Sequence, residues 1–231
     1  MDNKRNKLTN KSKYPAFVDY TTGLDFTTVL DYGSNQGNLL YFSNGSIDVS
    51  GYTGIDVDLD SITSAQQQFP GAEFIHSNKY NWMYNPSGED IQLNDVTSNE
   101  DFDVVWSYSV FSHTDFDDLI QALDWFTSFN YKKIIVSVLD IDNKYALDHF
   151  YSSRMTRYGE CVDFRNIDSD ILYLKDNDRT ITNVKSLVKD PCDLLLAFYN
   201  IDWLLTQLKN KYSNVSIEYP GVGVASYICI S

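Results

Sequence analysis

The sequence predicts an α/β fold with a doubly wound, mostly parallel sheet of seven strands, an antiparallel C-terminal hairpin and a small inserted cap. Through the first 140 residues, short and nearly continuous apolar runs alternate with helical segments, which is typical of a parallel sheet covered on both faces. The last two strands, residues 215–219 and 225–230, are joined by a connection too short for a crossover helix. These two strands must therefore be antiparallel neighbours. Residues 144–185 break the alternation, and we expect the cap there.

Five strands are predicted before the cap, each from a β-branched or apolar run: residues 27–31, 52–56, 73–76, 102–108 and 132–139. Helices are predicted between them at residues 38–42, 58–69 and 115–129. The second of these helices has Asp58 or Asp60 as a plausible N-cap and Pro70 and Gly71 as its stop. In the cap region we expect a helix at residues 145–158 and a hairpin formed by residues 171–174 and 180–184. A further helix is predicted at residues 201–212.

The charge is distributed unevenly along the chain. The net charge is -14, and the first thirteen residues carry five basic residues and one acidic residue, a net +4, which leaves -18 for residues 14–231. A body this acidic repels phosphate backbones, which argues against a nucleic-acid substrate. We expect residues 1–13 to form a flexible basic arm and residues 14–231 to form one domain that contains the cap.

Cysteine spacing and hydropathy indicate the compartment. The three cysteines, Cys161, Cys192 and Cys229, are far apart and form no CxxC pair, so we expect neither a metal site nor a disulfide framework. Residues 1–13 lack the apolar core of a secretory signal. The longest apolar runs, such as residues 134–139, are strand length and too short for a membrane span. We expect a cytoplasmic protein with no membrane partner; the oligomeric state stays open.

The strongest local pattern is at residues 29–38, which read VLDYGSNQGN. A strand ends there, the chain turns sharply and a helix starts. Gly33 and Gly37 would allow the backbone to approach a ligand closely, and the helix start beyond them would present free N–H groups. Asp31 could accept a hydrogen bond from a ligand ammonium or stabilise the loop. An ordinary strand-to-helix turn is the alternative interpretation.

A second acid strengthens the ligand hypothesis. Asp56 ends the second strand, a little over twenty residues after Gly33. In doubly wound folds an acid at this place receives the two ribose hydroxyls of an adenosine cofactor, and a carboxylate can accept both hydrogen bonds. Asp58 is a second candidate, although a helix N-cap is its simpler role. Residues 33–37 do not fit the G-x-G-x-x-G fingerprint of nicotinamide dehydrogenases, which disfavours that class.

With these motifs the sequence resembles the class I S-adenosylmethionine-dependent methyltransferases. The resemblance covers roughly residues 27–140 and 200–231. It is carried by VLDYGSNQG (29–37), GID (54–56), FIHSN (74–78), FDVVWSYSVFSH (102–113) and the terminal hairpin. It implies a Rossmann-like methyltransferase fold that uses S-adenosyl-L-methionine and releases S-adenosyl-L-homocysteine.

The resemblance also implies roles for individual residues. Asn78 would face the adenine, Asp56 would bind the ribose and Ser107 would lie beside the transferred methyl group. The methionine part would be held by the first loop, with Asp31, Gly33, Ser34, Asn35 and Gly37. Two positions depart from the family's pattern: Asn35 replaces the middle glycine of Gly-x-Gly-x-Gly, and Asn78 stands where Asp is common. Asn tolerates left-handed backbone angles, so the turn can still form.

Catalytic candidates follow the fourth strand. Tyr108 would lie beside the transferred methyl group, and His113 is the candidate general base because its ordinary pKa is near 6.5. His113 could instead cap or orient the helix that starts at Asp115. Positioning alone can supply much of the rate of methyl transfer, so a base is not required. The Asn/Asp-Pro-Pro-aromatic motif of nucleic-acid amino-methyltransferases is missing after this strand, which disfavours that subclass.

The cap supplies the candidate substrate contacts. Arg154 and Arg157 share a helix face and, with Tyr158, could hold a carboxylate or phosphate of the substrate; pairing with nearby acids is the alternative. Residues 79–101 could close over the adenine or form a surface loop. We predict methyl transfer to an oxygen or nitrogen of a small polar acceptor. The alternatives are a methyltransferase-like binding or regulatory module without catalysis, and a protein or RNA methyltransferase that uses the basic arm.

Overall fold

The fold is taken from a computed structural model, which describes residues 13–81, 84–91, 93, 101–143, 170–175, 181–184, 194–219 and 225–231. The chain divides into two compact units. The first comprises Met1–Tyr108 with Gln121–Ile135, and the second comprises Ser109–Ile120 with Val136–Ser231. Strand β5 (Lys133–Asp140) and helix α4 (Phe116–Phe126) each contribute residues to both units.

The first unit contains four parallel strands, hydrogen-bonded in the order β3-β2-β1-β4. They are β1 (Val29–Tyr32), β2 (Tyr52–Asp56), β3 (Glu73–His76) and β4 (Val104–Ser107). Every residue of β1 and of β4 is buried, which explains why these two strands read as short apolar runs without alternation.

Three α-helices of the described residues lie wholly in the first unit: α1 (Lys13–Thr21), α2 (Asn38–Ser43) and α3 (Leu59–Gln68). A short 3-10 helix, Val49–Gly51, precedes β2. Helix α3 begins after Asp58, whose side chain accepts hydrogen bonds from the Asp60 amide at 3.3 Å and from Ser61 Oγ at 2.6 Å. Asp58 is therefore the N-cap, which decides between the two candidates that the sequence predicts. Helix α1 lies in a stretch for which the sequence predicts no element.

The second unit contains the rest of β5 together with β6 (Ile171–Lys175), β7 (Ile181–Val184), β8 (Leu194–Tyr199), β9 (Val215–Glu218) and β10 (Ala225–Ile230). Strand β8 pairs parallel to the end of β5 and antiparallel to β6, and β6 pairs antiparallel to β7. Strand β10 pairs with β5 and antiparallel to β9. Helix α5 (Ile201–Lys209) follows β8, with Asn200 as its N-cap.

The predicted fold class is confirmed. The mostly parallel sheet and the antiparallel C-terminal hairpin are both present, and the seven predicted strands are β1–β5, β9 and β10. The described residues place ten strands in the sheet, because the predicted hairpin β6–β7 joins it through β8. Strand β8 was not predicted, since its uniformly apolar sequence LLLAFY has no period that separates a strand from a buried helix. The helix predicted at residues 145–158 lies outside the described residues.

Among the helices that these residues form, none combines the length and the apolar composition that crossing a membrane requires.

Candidate functional site

The candidate site lies at the carboxyl edge of the first unit's strands. Because parallel strands all end at the same edge of a sheet, the segments that follow β1, β2 and β3 are brought side by side. The Asn35 amide, after β1, donates to Asp56 Oδ2 at 2.7 Å. The Ser77 amide, after β3, donates to the Asp56 carbonyl at 2.9 Å. Asp56 thus joins the loops that follow its two neighbouring strands.

Residues 33–37 form a turn built from left-handed backbone conformations. Gly33, Asn35 and Gly37 have φ of 82°, 53° and 72°. The prediction that Asn35 would accept a left-handed conformation in place of glycine is confirmed.

The amides of this turn differ from expectation. The Gly33 and Ser34 amides both donate to the Ile55 carbonyl, at 2.8 and 3.0 Å, and the Gly37 and Asn38 amides donate to the Ser34 carbonyl, at 3.1 and 3.3 Å. The free N–H groups predicted for the turn and the helix start are therefore engaged within the protein at these positions.

Gly37 serves packing as well as the backbone conformation. A Cβ atom placed on Gly37 would lie 3.0 Å from carbon atoms of Phe69 and Phe74. In β2, a Cβ on Gly54 would lie 2.7 Å from the Phe74 ring and 2.9 Å from Ser34 Cβ. These two glycines therefore let the turn and the Phe74 ring lie close to the sheet.

The Asp56 carboxylate is held in place on both oxygens. Oδ2 accepts from the Asn35 amide, and Oδ1 accepts from the Asp58 amide at 3.0 Å. The side chain is partly exposed at the edge of the sheet.

Asp31 is fully buried and has a partner that the sequence did not reveal. Its Oδ2 accepts from the Tyr52 hydroxyl at 2.6 Å. Burial, the Asp31 carboxylate and, to a lesser extent, Asp56 raise the pKa of Tyr52 well above its usual value. Of the two roles considered for Asp31, this geometry supports the stabilising one. Tyr52 was missed because nothing in the strand pattern shows which side chain crosses to which neighbour.

Asn78 lies on the surface, in a segment that bonds to itself. Its Oδ1 accepts from Asn85 Nδ2 at 3.3 Å, and its carbonyl accepts from the Glu89 amide at 2.8 Å. Tyr80 and Tyr84 are 42% and 48% exposed. Residues 79–81 and 84–89 thus form a hydrogen-bonded surface turn with outward tyrosines.

Three buried serines lie along the same edge: Ser34 after β1, Ser77 after β3 and Ser107 at the end of β4. Within the described part of the chain, none of their hydroxyl groups has a hydrogen-bond partner. Buried hydroxyls are normally satisfied, so these three leave unused hydrogen-bonding capacity at one edge of the sheet. Ser77 was not among the predicted site residues.

Tyr108 follows β4 and is fixed by aromatic packing. Its ring is parallel to the fully buried Trp106 ring, with centroids 6.1 Å apart and an interplanar angle of 6°. Phe17 of α1 contacts Trp106 edge to face at 5.4 Å. Helix α1 therefore supports the residue on which Tyr108 stacks.

His113 belongs to the second unit and lies in the turn before α4. Its amide donates to the Val110 carbonyl at 2.8 Å. Ser109, in the same turn, has φ of 62°, and its amide donates to Ser137 Oγ at 2.7 Å. In the first turn of α4, the Asp118 amide donates to Asp115 Oδ1 at 2.8 Å. Arg154, Arg157 and Tyr158 lie outside the described residues.

Comparison with known proteins identifies the architecture. Neither a protein-family model nor a curated protein sequence matches the chain. Among solved structures it is similar to a candidate O-methyltransferase from Nostoc punctiforme PCC 73102, with a TM-score of 0.59 and 11% identity over 95% of this chain and 56% of that one. It is also similar to magnesium protoporphyrin IX methyltransferase from Synechocystis PCC 6803. The TM-score is 0.55, and the identity is 10% over 99% of this chain and 87% of that one.

A third similar structure is the glycopeptide N-methyltransferase MtfA, with a TM-score of 0.55 and 11% identity over 96% of this chain and 93% of that one. The chain has the class I methyltransferase fold. It spans little more than half of the Nostoc protein, at 56%, and most of the other two. At identities of 10–11%, these similarities concern the fold.

Proposed function

We propose that this chain binds S-adenosyl-L-methionine and transfers its methyl group to an oxygen or nitrogen of a small polar acceptor. The observation that carries the proposal is the partly exposed Asp56 carboxylate, which ends β2 and bonds the amide of Asn35 in the left-handed turn after β1. The fold supports it, since this edge of doubly wound sheets is where ligands bind.

The residues at this edge suit an adenosyl cofactor. A carboxylate is the kind of group that accepts from ribose hydroxyls, and Asn78 can donate to and accept from an adenine edge. The buried hydroxyls of Ser34, Ser77 and Ser107 lack partners among the described residues, and a polar ligand at this edge would supply them. The Synechocystis structure has S-adenosylhomocysteine bound and the MtfA structure has sinefungin.

The cofactor would bring an activated methyl group on a sulfonium, which leaves the protein to bind and orient the reactants. In this proposal Asp31, Gly33 and Gly37 shape the methionine side, and Ser107 and Tyr108 lie at the methyl group. His113 is the proposed general base, and Arg154, Arg157 and Tyr158 are the proposed acceptor contacts. A small acceptor fits the acidic composition better than a nucleic acid does.

The occupied amides of the turn favour a second candidate function. With the Gly33, Ser34, Gly37 and Asn38 amides already bonded within the protein, the chain could bind the cofactor weakly and act as a regulatory module. Turnover with labelled cofactor and a panel of small alcohols, phenols and amines separates the two functions. Methyl transfer to any of them supports the enzyme.

Calorimetric titration with S-adenosylhomocysteine tests the binding step. Asp56→Ala should weaken binding at least about tenfold, because a carboxylate that accepts from ribose hydroxyls contributes about 1.4 kcal/mol or more. Asp60→Ala is the matched control, since Asp60 is an exposed acid in the first turn of α3. Equal affinity in wild type and Asp56→Ala would remove Asp56 from the site. A wild-type protein that binds no S-adenosylhomocysteine would refute the proposal.

A further inference from the structure

The segment that ends α2 contains Asn44, which is the one asparagine of the chain that is followed by glycine. The backbone nitrogen of the residue after an asparagine can attack the side-chain carbonyl carbon and close a five-membered ring. Glycine has no side chain that obstructs this attack. Asn44 and Gly45 are both exposed, so water reaches the reacting groups.

Neither reacting group is held by a hydrogen bond within the described part of the chain. These residues provide no acceptor for the Gly45 amide and no partner for the Asn44 side-chain amide. A Cβ atom placed on Gly45 would have nothing within 4 Å. The Asn44 side chain can therefore rotate, and the space around Gly45 is open to the attack.

The backbone must turn before the ring can close. Asn44 has φ of 48° and ψ of 41°, and Gly45 has φ of 89°. Ring closure requires a rotation about ψ of Asn44 that brings the Gly45 nitrogen to face Cγ. In the described residues, one backbone hydrogen bond spans the pair, from the Ser46 amide to the Ser43 carbonyl at 3.0 Å. An exposed turn held by so little can open locally while the core stays folded.

We infer that Asn44 is a site of spontaneous deamidation in the folded protein. The Gly45 nitrogen forms a bond to Asn44 Cγ, and the side-chain amide group leaves as ammonia with the proton from that nitrogen. Water then adds across either ring C–N bond of the succinimide and gives aspartate or isoaspartate. This inference does not depend on the proposed function.

Both products change the end of α2. Each carries a new carboxylate at the C-terminal end of the helix, where negative charge is unfavourable. Isoaspartate also lengthens the main chain by one carbon, at the residue that now ends α2 in a left-handed conformation. The other end of α2 follows directly on the turn of the candidate site, residues 33–37.

Peptide mapping by mass spectrometry tests the inference on the folded protein, incubated at mildly alkaline pH, with chromatography to separate aspartate from isoaspartate. Asn214 is the internal control, because it is also an exposed asparagine with positive φ, at 53°. It is followed by Val215, whose β-branched side chain obstructs the attack, so Asn44 should convert at least about tenfold faster than Asn214. Gly45→Ala places a methyl group beside the attacking nitrogen and should slow conversion of Asn44 by at least about tenfold.

The same measurement on the chain unfolded in urea shows whether the fold protects the site. Conversion of Asn44 in the unfolded chain but not in the folded protein would mean that the left-handed turn prevents ring closure, and it would overturn the inference. Absence of conversion in both states would overturn it as well. Equal rates at Asn44 and Asn214, or an unchanged rate in Gly45→Ala, would show that the reaction does not pass through the Gly45 nitrogen.

Discussion

At the scale of single residues, the hydrogen bond between Tyr52 and Asp31 joins strands β2 and β1, which carry the candidate site. The carboxylate is fully buried and the phenol is 1% exposed, so neither can replace the 2.6 Å hydrogen bond with one to water. Tyr52→Phe keeps the ring and removes the donor. We expect it to lower the free energy of unfolding by about 1–3 kcal/mol, because it removes a hydrogen-bond partner from a buried acceptor. Urea denaturation measures this change.

Tyr80→Phe is the control for that measurement, because Tyr80 is 42% exposed. Loss of an exposed hydroxyl should change the free energy of unfolding by less than about 0.5 kcal/mol. If the two variants were equally stable, the Tyr52 hydroxyl would contribute nothing to the strand pair β1–β2.

At the scale of elements, the turn after β1 combines a backbone requirement with a packing requirement. Gly37 and Gly45 both have positive φ, of 72° and 89°. A Cβ atom on Gly37 would contact Phe69 and Phe74 at 3.0 Å, while a Cβ on Gly45 would have nothing within 4 Å.

Gly45→Ala should therefore cost only the left-handed strain of about 1–2 kcal/mol. Gly37→Ala should cost about 1–3 kcal/mol more, from overpacking. Thermal and urea unfolding of the two variants give the difference, and equal losses would contradict the packing argument.

The opposite end of the first unit's strands is held together by Asp103. Its Oδ2 accepts from the Thr27 amide at 2.6 Å and from the Thr28 amide at 3.3 Å, and its Oδ1 is 2.9 Å from Lys132 Nζ. These contacts lower the pKa of Asp103 to about 2 from an ordinary 3.8. The hydrogen bond from the Thr27 amide contributes most, and burial opposes the shift in part. A lowered pKa means that the folded state prefers the ionised carboxylate. This stabilisation is fully present above the unfolded value and is lost as the pH falls towards about 2.

Asp103→Asn tests that pH dependence. The stability gap between wild type and variant should be constant above about pH 5 and should close as the pH falls from about 4 to 2. Urea unfolding at a series of pH values measures it. Asp60→Asn, on the exposed first turn of α3, is the control for the general effect of removing an acid. A gap for Asp103→Asn that did not depend on pH would assign its cost to shape rather than to charge.

The elements also show what the sequence can predict. The bounds of β2 and β3 match the prediction because each is a short apolar run closed by a polar residue and followed by a helix or turn. Asp56 and Asn35 could be found as site candidates because each is tied to a strand end or a turn. Three features could not be found from the sequence, because they depend on which atoms of neighbouring strands meet. They are the Tyr52–Asp31 hydrogen bond, the hydrogen bonds made by the amides of the turn after β1, and the buried Ser77 hydroxyl. Strand β8 could not be found because continuous apolar runs have no period.

At the scale of the whole molecule, charge limits the kind of acceptor. Residues 14–231 carry a net -18, against +4 in the first thirteen residues. Phosphate contacts require cations that can displace counterions, and the first thirteen residues have a local excess of cations. If the acceptor is small, an RNA oligonucleotide in fluorescence anisotropy at about 150 mM salt should bind no more tightly than about 10⁻⁶ M, the tight end of the range of non-specific binding. Deletion of residues 1–12, which leaves α1 intact, should change neither this result nor the affinity for S-adenosylhomocysteine. Sub-micromolar RNA binding that weakens steeply with salt and disappears with the arm would instead make the arm an acceptor-binding element and the acceptor a nucleic acid.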